Sequence, residues 1–368
     1  MRVFANACRE ERARSIRVKT EWEKTCRGLL LLAALLGFAS WDTILAWDLP
    51  DSISRIALGS CADQEKPQPI WEAIVAADPD LFLFLGDNVY ADTEDMEEMR
   101  AAYRTLLEKP GYQRLLEISP ILAVWDDHDY GVNDGGAEYP SREGAERVFH
   151  EFFGTPESAP SRKRPGIYDS HLIGEEGNRL QIIRLDTRYF RGPLSKLPVR
   201  GPQGPYKPSE DASVTMLGEA QWSWLEKELM QPADLRIIAT SIQFLPVDHR
   251  WERWENLPHE RRRFLGMLKK VEGPVFFVSG DRHMGELQMM PSEDPLSPGF
   301  PIYELTTSGL TNAGGGGKGE PNRYRIGPSN FQKRNFGLVE IDWAKRKVRL
   351  ELRDVEGETV DSAEFPFP

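Results

Sequence analysis

Between Ala123 and Asp134 the chain reads AVWDDHDYGVND. Asp126, Asp127, His128 and Asp129 follow closely on the apolar run Ile121-Leu122-Ala123-Val124, a segment suited to the interior. Carboxylates this close repel one another, and burying them unpaired is costly, so a positive partner is expected, a metal ion first. Three other apolar runs stop in the same way. RIALGS leads into Gly59-Ser60-Cys61, LFLFLG into Gly86-Asp87-Asn88-Val89-Tyr90, and VFFVSG into Gly280-Asp281-Arg282-His283. In open α/β sheets the loops at the carboxyl ends of strands converge on one edge and form the site. Taken singly, a strand-end Asp is a cap or turn residue, a lone Cys is core and a Tyr is packing. Four distant segments that deliver Cys, Asp, Tyr, Asp, Asp and His to one edge describe a metal centre instead.

The elements that would bring those ends together alternate along the chain. Strands are expected at 55–60, 81–86, 121–125, 180–186, 235–242 and 275–280. Helical patterns run through PIWEAIVAA, EDMEEMRAAYRTLLE, SREGAERVFHEFF and GEAQWSWLEKELM. Strands that are apolar throughout and separated by helices indicate sheets covered on both faces. The tail differs, because FGLVEIDW, KVRLELRD and TVDSAEF read as consecutive antiparallel strands. The expectation is one layered α/β domain over residues 48–368, with antiparallel strands at its C-terminus. Gly314 to Gly317 with Lys318 lacks the spaced first glycine of a P-loop and the Ser or Thr after its lysine, and reads as a flexible loop.

The 46 Lys and Arg against 58 Asp and Glu give a formal net charge of −12. No excess of basic charge is left for a phosphate backbone, which argues against nucleic acid as the main partner. Residues 1–27 carry eight basic and four acidic side chains and precede Gly28-LLLLAALLGFA-Ser40. That apolar run is short for a spanning helix and fits the core of a secretory signal. Residues 1–47 are therefore expected to be a basic leader plus signal peptide or anchor. Export follows, with membrane association through that segment as its second form. Cys8 and Cys26 fall in the leader, so Cys61 would stand alone in the mature chain, as a small buried hydrophobe or as a thiolate with a role.

The ordered set GSC, GDNVY, WDDHD, LDTRYFR and GDRH resembles the PhoD-type alkaline phosphatases from about Ile53 to the end, and GDNVY looks like the GDxxY motif of metallophosphoesterases. The resemblance implies a four-layer α/β fold, two mixed β-sheets sandwiched between α-helices. It also implies metal-dependent hydrolysis of phosphate esters by a two-metal centre and a bridging hydroxide. The ions implied are Fe3+ and Ca2+, with Zn2+ or Mn2+ as the alternatives. Carried over, Asp87 would bridge the ions, Cys61, Tyr90 and His283 would hold the iron, and Asp127, Asp281 and Asn133 would serve the second ion. Thiolate and phenolate suit ferric iron, while carboxylate and amide oxygens suit calcium.

His128 stands where the wider superfamily carries a histidine that contacts substrate or protonates the leaving oxygen. Its plainer reading is a loop-holding bond to Asp126 or Asp129. Arg188 of Asp186-Thr187-Arg188 would grip phosphate oxygens, or else form a salt bridge to Asp186 or the acidic loop. Where the superfamily places another histidine ligand, ATSIQF offers Ser241 and Gln243, and Gln243 is the candidate taken. WERWENLPHERRRF would wall the substrate site, although its arginine run is more ordinary as a solvated helix face. His249 lies close enough to reach the pocket; His150, His171 and His259 default to surface or structural roles. There is no GxSxG and hence no sign of a serine nucleophile. Two rival functions remain: a non-catalytic binding protein on the same fold, and a dedicated phosphodiesterase or phospholipase acting on cell-wall polymers or lipids.

Overall fold

The computed structural model describes residues 49–315 and 319–368. The expected leader and part of the glycine run lie outside the described residues. In chain order the strands are β1 (Arg55–Gly59), β2 (Leu81–Leu85), β3 (Ile121–Val124), β4 (Asp169–Ile173), β5 (Leu180–Arg184), β6 (Lys196–Gly201) and β7 (Gly204–Tyr206). They continue as β8 (Leu235–Ala239), β9 (Val275–Ser279), β10 (Gly285–Met290), β11 (Ile302–Thr307), β12 (Asn335–Asp342), β13 (Lys347–Asp354) and β14 (Thr359–Pro366). One sheet has the order β14-β13-β12-β1-β2-β3, the other β10-β11-β9-β8-β5-β4, and β6 and β7 form a separate hairpin. In the first sheet β1, β2 and β3 are parallel and the three C-terminal strands antiparallel. In the second, β5, β8, β9 and β11 are parallel, and β4 and β10 are antiparallel edges.

Side chains alternate across a strand with a period of two, and this alternation sorts the layers. Ile182, Ile237 and Phe276 pack in one cluster with Leu338 and Leu350 of the first sheet, so they lie between the sheets. Their neighbours Ile183, Ile238 and Phe277 pack with Trp222, Leu225, Phe264 and Leu268 of the helices Gly218–Leu229 and Pro258–Leu268. The helices Ile70–Ala76, Met96–Leu107, Pro110–Ile118 and Arg142–Phe152 bury their apolar stripes in the cluster that contains the first sheet. Phe82 and Phe84, two apart on β2, both present rings to Trp71 at centroid distances of 5.5 and 5.9 Å. The result is helix, sheet, sheet, helix, a mixed α/β fold of four layers.

Two helices and several strands were not expected from sequence. Pro110 begins a helix at the position where its missing N–H costs nothing, although Lys109-Pro110-Gly111 looks like a turn. β10 and β11 carry Glu286, Gln288, Glu304 and Thr306 into the interior, which hides their strand pattern behind buried polar residues. No described helix is long and apolar enough to cross a membrane.

The parallel strands of both sheets end against one another. The Gly280 N–H donates to the Ser241 carbonyl at 2.8 Å. A Cβ on Gly280 would lie 2.5 Å from the Ser60 hydroxyl oxygen and 2.6 Å from the Leu85 carbonyl. Only a residue without a side chain lets β9 close on the ends of β1 and β2. Gly280→Ala is therefore expected to destabilise the fold by about 1–3 kcal/mol through overpacking, seen as a lowered urea midpoint. A midpoint equal to the parent would mean that the strand ends are not in this contact.

Candidate metal centre

The turns that leave these strands have unusual backbone. Among the described residues eight non-glycine residues have positive φ, and Cys61 (61°), Asp87 (49°), Asp281 (66°) and His283 (51°) are four of them. Asp92 (45°) and Asp134 (53°), beside the same pocket, are two more. Such residues cost of order 1–3 kcal/mol each and persist where surrounding structure over-determines them, as at ligand clamps.

Asp87 stands at the centre. Its Oδ2 lies 3.3 Å from Cys61 Sγ and 3.2 Å from the Tyr90 hydroxyl, and that hydroxyl is 3.0 Å from His283 Nε2. Its Oδ1 faces the other way and accepts from the His128 backbone N–H at 3.4 Å. Ligand atoms of Cys61, Asp87 and His283 lie within 4.8 Å of one another, as do those of Asp87, Asp127 and His128, and those of Asp126, Asp127 and Asp281. Asp127, Asp134 and Glu252 make a further such group. Asn133 lines the mouth of the same pocket.

The electrostatics fit cations. Burial pushes the Cys61 thiol up to about 11, against the hydroxyls of Ser308 and Ser60, which pull it down. Burial, with Cys61 and Asp127 beside it, holds the Asp87 carboxyl well above the usual carboxylate range. Burial and Asp126 do the same to Asp281, and burial, Cys61 and Asp87 push Tyr90 well up. Burial and the neighbouring His128 lower His283 to about 4, which keeps its imidazole neutral and able to donate a lone pair. The protein alone thus resists negative charge on these donors, and a bound cation is what reverses that preference. A thiol, a phenol, an imidazole and several carboxyls around shared positions are a chemically suitable set.

The four residues of the opening stretch have four separate tasks. Asp127 faces the pocket; burial would raise its carboxyl, but Arg188 and His128 outweigh burial and hold it at about 2. Asp126 is turned inward to Arg188, whose Nε donates at 2.6 Å, and accepts from the Ser241 hydroxyl at 2.6 Å. Asp129 accepts from the backbone N–H groups of Asp126 (2.7 Å) and Asp87 (3.1 Å) and from the Asn88 amide (2.6 Å), tying the second strand end to the third. His128 lines the pocket, its Nδ1 2.7 Å from Asp92 and its ring 4.2 Å from that of Tyr90. Burial would lower its pKa, but the Asp92 bond and the charge of Asp127 lift it to about 9. Its carboxylate partner is thus Asp92, not Asp126 or Asp129.

Two expectations need correction. Arg188 does not face the pocket: it is fully buried beneath it, paired with Asp126 and, through Nη1 at 2.7 Å, with Glu252. The interior carboxyls are stronger partners for that guanidinium than an open pocket, so the salt-bridge alternative describes it. Gln243 is also buried away from the pocket lining. Its amide donates to Glu286 and Thr306 at 2.9 Å each, and its oxygen accepts from His249 at 3.0 Å, so its polar capacity is spent inside the second sheet. His249 likewise stays out of the pocket lining and accepts from the Trp251 backbone N–H at 3.2 Å.

Trp251 and Glu252, from the stretch expected to wall the site, do line the pocket. Of the arginine run beyond them, Arg261 is buried and donates to the Phe244 carbonyl, while Arg262 and Arg263 are exposed. Asp92, Asp134, Arg200, Tyr206 and Arg282 were missed. Asp134 and Arg282 sat inside motifs already singled out; Arg200 and Tyr206, on the β6–β7 hairpin, carried no signal. Removing the cation of the buried triad should be severe. Arg188→Met leaves Asp126 and Glu252 buried without their partner and is expected to cost about 3–5 kcal/mol, read from urea denaturation. An unchanged midpoint would reject the charge-balancing role.

Over residues 56–352 the sequence matches the model of a family described as PhoD-like phosphatase. The fold is similar to a solved structure described as the structure of PhoD, with TM-score 0.68 and 17% identity, covering 88% of this chain and 70% of that one. It is also similar to the purple acid phosphatase PPD1 from yellow lupin (Lupinus luteus) seeds, with TM-score 0.55 and 12% identity, covering 87% of this chain and 55% of that one. No curated protein matches the sequence.

Proposed function

The chain belongs to the PhoD-like phosphatase family and is a metal-dependent phosphoric ester hydrolase; from this we propose that Cys61, Asp87, Tyr90 and His283 hold one cation, and Asp87, Asp127, Asn133 and Asp281 a second. The observation that carries the proposal is the two-sided environment of Asp87, with Oδ2 turned to Cys61 and Tyr90 and Oδ1 toward the Asp127–His128 side. The thiolate and phenolate favour ferric iron for the first position, and the oxygen donors favour calcium for the second. Two cations there would supply a Lewis acid for the phosphoryl oxygens and a hydroxide nucleophile from water near neutral pH.

The remaining work falls to side chains. His128 presents Nε2 to the pocket with no protein hydrogen bond among the described residues, while Asp92 holds Nδ1. An imidazolium braced in this way can pass its Nε2 proton to the alcohol oxygen as the P–O bond breaks. Asp126 and Arg188 lie outside the pocket lining and pair with each other, and Arg188 also pairs with Glu252 at the pocket wall. Asp129 positions the loops of Asp87 and Asp126. The basic leader and apolar run of residues 1–47 support export of the enzyme.

Metal analysis of the purified full chain by mass spectrometry, with hydrolysis of a chromogenic monoester and diester, tests the centre. Iron with calcium is expected, and chelation should remove turnover; zinc or manganese with turnover would reassign the ions. Asp87→Asn is expected to abolish hydrolysis with an unchanged circular dichroism spectrum, and full activity in that variant would sink the two-cation centre. His128→Gln should lower kcat on alkyl phosphates by about 10²–10⁴-fold. Aryl phosphates, whose leaving groups need no proton, should suffer far less; equal losses on both would remove the proton-donor role.

A further inference from the structure

We infer that Arg200 makes this pocket selective for phosphate esters whose alcohol carries a second phosphate group, an inference that rests on the hydrolase site proposed above. Arg200 lies on β6 and its guanidinium carbon is 5.0 Å from the centroid of the Trp251 ring. Arg282 also lies over that ring, at 5.3 Å, but its Nη2 donates to both oxygens of Glu320 at 2.8 and 3.1 Å. The Trp251 indole N–H donates to the same carboxylate at 3.1 Å. Glu320 therefore offsets Arg282 and fixes Trp251. Arg200 is left with an aromatic backing and no carboxylate or hydrogen-bond partner among the described residues. Both arginines and Trp251 line the same pocket as Asp87, Asp127 and His128.

The hairpin that carries Arg200 is a fixed wall. The Tyr206 N–H donates to the Arg250 carbonyl at 2.9 Å, and the Arg250 N–H donates to Gln203 at 2.7 Å. The Tyr206 hydroxyl donates to Asp134, at the mouth of the ligand cluster. Gly204 has φ +121°, and a Cβ there would lie 2.3 Å from the Arg250 carbonyl and 2.5 Å from the Trp251 nitrogen. The hairpin thus lies directly on the backbone that presents Trp251. Stacking restrains the guanidinium plane, and a restrained guanidinium offers a fork that matches two oxygens of a phosphate.

The scissile phosphoryl group belongs over the carboxylate and thiolate ligands. A substrate anion beyond it would enter a pocket walled by Asp134, which has no ion pair among the described residues, in a chain of net charge −12, and would be repelled without a local cation. Arg200 is the cation that the wall leaves unspent. An uncharged alcohol has nothing to offer it, and a second phosphate does.

The test compares propane-1,3-diol bisphosphate with propane-1,3-diol monophosphate on the full metal-loaded chain, for the parent, Arg200→Gln and Arg262→Gln. Arg262 is exposed on the helix Pro258–Leu268 and removes the same charge outside the pocket lining. The ratio of kcat/KM for bisphosphate over monophosphate is expected to fall about tenfold in Arg200→Gln. The loss should lie in KM and shrink as salt is raised. Arg262→Gln should keep the parent ratio. An unchanged ratio in Arg200→Gln, or an equal fall in Arg262→Gln, overturns the inference. If the parent releases phosphate from neither ester, the monoesterase reading of the site fails, and calorimetry with methylenebisphosphonate decides the inference separately. Binding about tenfold weaker in Arg200→Gln upholds it, and equal binding overturns it.

Discussion

The structure depends on a surplus of negative charge at the joint between two sheets. Asp87, Asp126, Asp127, Asp129, Asp281 and Glu252 meet there, and the buried cations beside them are Arg188, Arg191 and Arg282. Arg188 answers Asp126 and Glu252, and Asp129 is occupied by backbone and side-chain N–H groups. Burial still pushes Asp126, Asp129 and Glu252 each up to about 7. The pocket-facing Asp87 and Asp281 are both held well above the usual carboxylate range, Asp281 in spite of the neighbouring Arg282. A fold that gathers so many acids must take up protons or cations, and a metal-dependent family takes cations.

Satisfying that surplus also sets the geometry. Asp129 receives N–H groups from the loops after β2 and β3, so the residue that cannot be a ligand fixes the position of the one that can. Asp126 does the same between sheets, because Arg188 and the Ser241 hydroxyl, both from the second sheet's loops, converge on it. The glycines at the strand ends make this closeness sterically available: a Cβ on Gly86, at φ +96°, would lie 2.5 Å from Asp126 Cβ. The strained turns at Cys61, Asp87, Asp281 and His283 are held by this lattice of contacts, which is why ligand placement needs the whole joint and not one loop.

Much of this was legible in the sequence, for a physical reason. Parallel strands buried on both faces must be apolar throughout, so a charged residue directly after such a run marks the strand's end and the sheet's edge together. That reasoning placed the ends at Ser60, Gly86, Trp125 and Gly280, each one residue beyond the observed Gly59, Leu85, Val124 and Ser279, and found residues that are brought together there. It failed where a residue's surroundings come from elsewhere in the chain. Arg188 follows an apolar strand as a ligand would, but whether a guanidinium turns to the pocket or to buried acids depends on Glu252, sixty-four positions away. Gln243 followed the superfamily's histidine position, yet Glu286 and Thr306 on other strands take its hydrogen bonds. Asp92 carried no signal because its value lies only in facing His128.

The same distinction explains how an acidic protein can serve an anionic substrate. Net charge governs the approach of a partner from a distance, and −12 disfavours phosphate there. At contact the sign is set by a few groups: Arg200, Arg282 and His128 line the pocket beside Asp87 and Asp127, and carboxyls gathered in this way suit a cation. The arginines then divide by burial. Arg188, without solvent access, is committed to holding the acids together; Arg200, exposed on the β6–β7 hairpin, spends no donor on a partner among the described residues. Exchanging those roles would fail on energetic grounds alone, because a buried arginine without acids is as costly as buried acids without an arginine.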